Sequence, residues 1–285
     1  MSVPVPFVKW AGGKQSLATT IISIFPSPST VDTYYEPFLG GRSIFFSYAP
    51  GKAVLNDSNQ WLIDTYRAIR EDWARVAELL EPMPNTKEDY LRIRSQDPWS
   101  MDLYNRAAMF VYLNKTCFRG LFRVNRKGQF NVPWGAYDRR YFDPENLRAV
   151  SEVLTTVELR STDFELALHD IDESDFVYFD PPYHPLGGYS DFKRYTPDQF
   201  REHDHIRLAC LCRDLDRQGV RWVVSNSDTP FVRELYQDYL VYEINARREI
   251  NLDSTKRDVK ELVITNMTVE APQKEVEQVE QILLF

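Results

Sequence analysis

Asp175-Phe176-Val177-Tyr178-Phe179-Asp180-Pro181-Pro182-Tyr183 is an apolar run that ends in an acid, two prolines and an aromatic residue. The run reads as a strand, and the prolines that close it fix the backbone beyond its end. Working outward, strands are predicted at Thr33–Tyr35, Ala53–Asn56, Val157–Arg160, Phe176–Asp180, Val220–Ser225, Leu240–Ile244 and Glu261–Asn266. Helices are predicted between them, at Lys14–Phe25, Asn59–Leu80, Tyr104–Cys117, Pro197–Arg217 and Pro230–Tyr236. This alternation predicts an α/β fold with a largely parallel sheet. From Ser58 to about Leu147 helical periodicity dominates, and Leu121–Pro133 reads as a hairpin turning at Lys127-Gly128. The expected division is a sheet domain from residues 1–57 and 148–268, a mostly helical insertion at 58–147, and a tail at 269–285.

Composition narrows the classes. The 285 residues suit one or two domains, and 43% hydrophobic with 27% charged residues excludes a disordered chain. Cys117, Cys210 and Cys212 make an odd set with neither a disulfide framework nor a zinc spacing. Met1–Trp10 lacks the pattern of a secretion signal, and no apolar run approaches the roughly 18–20 residues that span a bilayer. A soluble cytoplasmic protein is the expectation. His203 and His205 read as a solvated face of a polar helix, and no metal site is expected. The net charge of −8 is unevenly placed. Arg106–Arg140 holds eight basic residues against Asp138 alone, a formal +7, so the rest carries −15. Such asymmetry is the footprint of a local anionic partner.

Four constellations carry chemistry. Phe7-Val8-Lys9-Trp10-Ala11-Gly12-Gly13-Lys14 is not a P-loop: Val8 takes the first glycine position and Gln15 the magnesium-binding one. It suits a turn that presents Trp10 and Lys14 to a nucleoside bearing a carboxylate. Glu36-Pro37-Phe38-Leu39-Gly40-Gly41 follows a strand, where ligands of open α/β sheets sit, and Asp57 ends the next strand, where an acid accepts ribose hydroxyls. At the third, an exocyclic amine of adenine would donate to the Asp180 carboxylate and the Pro181 carbonyl. Those bonds draw the nitrogen toward tetrahedral geometry and expose its lone pair to an electrophilic methyl group, while Tyr183 stacks on an extruded base. The fourth runs from Tyr112 to Asn125 and on to Gly135, a basic and aromatic segment suited to a DNA groove. There Arg123 would pair with guanine, Phe118 would wedge into the gap left by a flipped base, and Lys115, Arg126 and Lys127 would touch phosphates.

From about Phe7 to Asn266 the order of these motifs resembles the Dam-type DNA adenine-N6 methyltransferases of the α arrangement. The resemblance implies a Rossmann-like, S-adenosylmethionine-dependent sheet with an inserted target-recognition domain. It implies Asp180, Pro181 and Tyr183 at the catalytic centre, and Trp10, Lys14, Glu36, Phe38, Asp57, Phe164 and Asp180 around S-adenosylmethionine. It supports the Arg123 and Phe118 roles, and with them Lys115, Arg119, Leu121, Asn125, Arg126 and Lys127 of the same segment are expected on double-stranded DNA. A Gly-Ala-Thr-Cys target is expected, although Arg119 stands where Asn is common, and Ala136 and Asp138 stand where relatives carry bases. Arg42 also departs from the small residue many relatives have. A cytosine-N4 methylase, or a DNA-binding protein without catalysis, remains an alternative. The ending Gln281-Ile282-Leu283-Leu284-Phe285 resembles the peptide by which bacterial replication proteins bind the sliding clamp, with Gln281, Leu284 and Phe285 as anchors. A monomer is expected.

Overall fold

The apolar runs become β1 (Tyr34–Glu36), β2 (Ala53–Asn56), β3 (Val157–Arg160), β4 (Phe176–Phe179), β5 (Arg221–Ser227), β6 (Leu240–Arg247), β7 (Asp258–Thr265) and β8 (Gln281–Ile282). The computed structural model describes residues 4–10, 17–41, 44–125, 127–186, 200–247, 258–268 and 281–282. Among these, the strands form one sheet in the order β3-β2-β1-β4-β5-β7-β6-β8. The five strands from β3 to β5 are parallel; β7 runs antiparallel to β5 and β6, and β8 antiparallel to β6. The order reverses between β1 and β4, and such a switch point is where open sheets of this kind take their ligands.

Successive residues of a strand point to opposite faces. Tyr34, Leu55, Phe176, Tyr178 and Val223 therefore enter one core, and Tyr35, Val54, Val177, Phe179, Trp222 and Val224 the other. The helices are α1 (Ala18–Ile22), α2 (Phe45–Tyr48), α3 (Gln60–Leu80), α4 (Lys87–Arg94), α5 (Leu103–Thr116), α6 (Pro144–Val153), α7 (Glu202–Arg217) and α8 (Pro230–Leu235). Leu208, Cys212 and Leu215 of α7 and Val232 of α8 fill the second core, whereas Ile21, Phe45, Leu62 and Tyr66 fill the first. Side-chain caps define the starts: Asn59 accepts from two amides of α3, Asp102 from two of α5, and Thr229 from one of α8 just before Pro230.

The insertion shares the first core. Tyr90, Phe110, Tyr112, Phe122 and Phe130 join the same buried cluster as the strands. Trp61 Nε1 donates to the Arg106 carbonyl at 2.9 Å, and Arg106 pairs with Asp64 at 2.9 Å, which binds α3 to α5. The expected hairpin at 121–133 is held by isolated antiparallel bridges, Val124 to Phe130 and, at its base, Cys117 to Trp134.

Several expectations need correction. α4 and α6 were not anticipated: α4 is polar and buries only Tyr90 and Ile93, too little to mark a periodic face. β5 continues through Ser225-Asn226-Ser227, all buried, where hydrophobic patterning stops at Ser225. His205 is not solvated. It is 3% exposed against Phe200, His184 and Phe231, and burial pushes its imidazole down to about 4; only His203 faces outward. Of the helix expected at 14–25, the described part is α1, since residues 11–16 lie outside the described residues. No helix among the described residues is long and apolar enough to cross a membrane.

Candidate active site

Four adjacent parallel strands deliver predicted site residues at their carboxyl ends. β1 leads into Phe38, β2 into Asp57, β3 into Phe164 and β4 into Asp180. Asn56, 1% exposed and absent from the predicted site, fastens three of these loops together. Its Nδ2 donates to the carbonyls of Pro37 and Thr162, at 3.0 and 3.1 Å, and its Oδ1 accepts from Thr162 N at 3.0 Å. Asp57 Oδ2 accepts from Gly40 N at 2.9 Å and Oδ1 from Asn59 N at 2.8 Å. Burial outweighs these two amide bonds and pushes its carboxyl up to about 6.

Glu36 is turned inward. Its carboxylate accepts from Tyr34 Oη at 2.8 Å and from the Phe45 and Ile44 amides, so it braces the start of α2 behind the loop. Gly40 has φ +55°, and a Cβ there would come within 3.1 Å of Trp10 Cδ1; one on Gly41 would lie 2.7 Å from Val8 Cγ2. The glycines thus admit the Trp10 segment against the loop. Phe38 packs on Phe164 at 5.3 Å and edge-on to Phe200 at 5.6 Å, forming an aromatic wall between the β1 and β3 ends. Lys14 lies outside the described residues.

Beyond β4, Asp180 is partly buried, Pro181 buried and Tyr183 partly buried. Tyr183 Oη donates to Glu261 Oε2 at 3.1 Å. Burial together with the Asp180 and Glu261 carboxylates raises its pKa well above the usual tyrosine value, so the phenol stays neutral. The next residue, His184, is moored to β5 and the loop after it. Its N–H donates to Asn226 Oδ1 at 3.0 Å, Ser227 Oγ donates to its carbonyl, and its Nδ1 lies 3.1 Å from Thr229 Oγ1. Sequence reading missed Glu261, His184 and the Asn226–Thr229 series. A polar run, Ser225-Asn226-Ser227-Asp228-Thr229, directly after an apolar strand was the available signal.

The basic segment is joined to the site through the N-terminal stretch that carries Lys9. Lys9 and Asn114 exchange two 2.7 Å bonds: Lys9 N donates to Asn114 Oδ1, and Asn114 Nδ2 donates to the Lys9 carbonyl. Gly120, at φ +63°, lies against the Lys9 side chain, where a Cβ would sit 2.3 Å from Lys9 Cβ. Phe118 is 46% exposed, with the Arg119 guanidinium 5.2 Å from its ring centre, and Arg119 N donates to Tyr137 Oη at 2.8 Å. Asn131 accepts from Arg123 through Oδ1 (Nε, 2.7 Å) and through its carbonyl (Nη2, 3.3 Å), setting the plane of the guanidinium. Asn125 closes the turn by accepting from Lys127 N and Gln129 N. Lys127 is exposed, and Lys115 and Leu121 are partly buried. Arg126, Leu284 and Phe285 lie outside the described residues, and Gln281 is described only as backbone pairing with Tyr242.

This arrangement can hold a nucleoside at the strand ends with a carboxylate and a proline carbonyl beside it, next to an exposed aromatic and basic surface. The family model of the D12 class N6 adenine-specific DNA methyltransferases matches residues 10–250. A "Type II methyltransferase M1.LlaDCHI" of Lactococcus lactis subsp. cremoris is 40% identical over 271 residues, covering 92% of this chain and 95% of that protein. A "Type II methyltransferase M.MjaIII" of Methanocaldococcus jannaschii is 37% identical, covering 92% and 98%. The "DNA adenine methylase" of Escherichia coli (strain K12) is 32% identical over 262 residues, covering 90% and 93%. With that match across most of its length, the chain belongs to the D12 class of N6 adenine-specific DNA methyltransferases.

Proposed function

We propose that the protein transfers a methyl group from S-adenosylmethionine to adenine N6 in double-stranded DNA, at a base turned out of the helix. The observation that carries this reading is Asp180 at the end of β4, one of four neighbouring strand ends that also bear Asp57, Phe38 and Phe164. These residues suit the donor: an anionic acceptor for ribose hydroxyls, an aromatic wall for a purine, and glycines that let the backbone approach. Asp57, Phe38, Phe164, Trp10, Lys14 and Asp180 would hold it, with Glu36 acting through the loop it braces. Bound there, S-adenosylmethionine supplies an electrophilic methyl group. The Asp180 carboxylate and the Pro181 carbonyl would accept hydrogen bonds from the two N–H groups of the amine and turn its lone pair toward that methyl, and the nitrogen gives up one N–H proton once it carries the methyl. Tyr183 stacks on the extruded base. No cysteine accompanies the motif, so transfer is direct.

On the DNA side, Arg123 reads a guanine, Phe118 fills the gap in the stack, and Lys115, Arg126 and Lys127 contact phosphates, with Arg119, Leu121 and Asn125 shaping the same loop. The proposed target is Gly-Ala-Thr-Cys, and the protein acts as a cytoplasmic monomer. A sliding clamp is proposed as a partner of Gln281–Phe285.

The test is transfer of radiolabelled methyl groups into unmethylated plasmid DNA, followed by nucleoside chromatography. N6-methyladenine is expected; N4-methylcytosine, or no product, would overturn the reading. D180A should fold as wild type and lose activity by about a hundredfold or more, the scale of one preorganised hydrogen bond at a reacting centre.

A further inference from the structure

We propose that Glu261 on β7 is a positioning residue for methyl transfer, acting through Tyr183. The proposal rests on reading Asp180–Tyr183 as the transfer site. Glu261 comes from the antiparallel part of the sheet, which supplies none of the predicted catalytic or cofactor residues. It lies opposite Ser227 of β5 on one side and Ile244 of β6 on the other. β5 extends three residues past its last pairing with β4, and this extension carries Asn226 and Ser227, which moor His184; Ser227 is also the residue opposite Glu261.

Two kinds of restraint meet at Tyr183. The mooring of His184 holds the main chain, but a tyrosine ring turns about two further torsions that main-chain bonds do not control. The bond from Tyr183 Oη to Glu261 Oε2, 3.1 Å, acts at the far end of the ring, where it has the greatest leverage over both torsions. A hydrogen bond to an ionised acceptor is stronger than one between neutral groups. The phenol remains a donor through the working pH range, because burial and the neighbouring carboxylates oppose its ionisation. Stacking on an extruded base depends on the plane of the ring, and the placement of the amine beside Asp180 depends on the stacking. Glu261 thus sets the geometry of transfer without touching the substrate.

The test is a mutant cycle in single-turnover methylation of unmethylated plasmid DNA, with Kd for donor and for DNA measured separately. E261A is expected to slow transfer by about tenfold to a hundredfold, the range of one lost hydrogen bond to a charged group, with both Kd values unchanged. E261Q, which keeps an acceptor, recovers most of the rate. In a Y183F background E261A adds no further loss. The proposal is overturned if E261A transfers at the wild-type rate, if its loss adds in full to that of Y183F, or if the loss follows a lowered Tm and E261Q does not restore it. Should E261A fail to fold, Y183F decides: removing the hydroxyl alone must slow transfer at unchanged affinity, and a wild-type rate overturns the proposal. A wild-type protein that methylates no adenine overturns the underlying reading as well, whereas an active wild type with an unaffected E261A overturns this proposal alone.

Discussion

Asp57, the carboxylate at the end of β2, makes the proposed donor site sensitive to pH. Asp57 is held near 6 by burial despite its bonds to the Gly40 and Asn59 amides. If its ionised form accepts the ribose hydroxyls, affinity for S-adenosylmethionine falls as pH drops through 6, approaching about tenfold per unit below that point. Equilibrium binding between pH 7.5 and 5 checks this, and D57N should be weak at every pH with that dependence gone. On the proposed DNA surface, Arg123 is assigned to base reading and Lys127 to holding phosphates. R123A should lose about 1–3 kcal/mol of discrimination at one guanine. K127A should weaken all sequences alike and reduce the salt slope by about one. Affinities for a set of single-base variants over a salt series distinguish the two. Equal losses at every site in both variants would remove Arg123 from base reading.

At the level of elements, α7 and the extension of β5 support the loop that carries Tyr183. His205 of α7 is buried beside Asn226, with Nδ1 3.4 Å from Asn226 Nδ2, and its ring lies 5.7 Å from that of His184. Its folded value of about 4 lies below the ordinary histidine value of about 6.5, so the unfolded chain takes up the proton first. The stability this neutral imidazole provides is complete above pH 6.5 and is lost as pH falls toward 4, by up to about 3 kcal/mol. Asp57, raised in the folded state, works in the opposite direction over much of the same range. The measurement is therefore a difference: urea unfolding of wild type and H205Q from pH 7 to 4.5. Wild type should lose the larger share of its stability on acidification, and parallel curves would contradict this account of His205.

Across the whole molecule, the tail tests how far the sheet extends. Gln281 and Ile282 pair with Tyr242 and Val241 at the open edge of β6, where an unpaired strand invites another. Deletion of Gln281–Phe285 is expected to abolish binding to purified clamp and to leave methylation of short oligonucleotides unchanged. A lowered Tm with retained clamp binding would assign the ending to the sheet alone. The same molecule separates what was legible in its sequence from what was not. β2 and β3 were predicted to the residue, and Phe38, Asp57 and Asp180 could be placed at strand ends, because each signal is local: an apolar run, then glycine, proline or an acid; Phe164 came only with the family resemblance. The Asn114–Lys9 exchange spans 105 residues and the Tyr183–Glu261 bond spans 78. The Asn56–Thr162 bonds span 106. Each of these joins an ordinary polar residue to a group far along the chain, and no spacing or periodicity marks such a partner beforehand. Strand ends are set by neighbours in sequence, but the alignment of one loop with another follows from strand order and register, so the residues that reach the strand ends were readable in the chain and their bracing was decided by the tertiary fold.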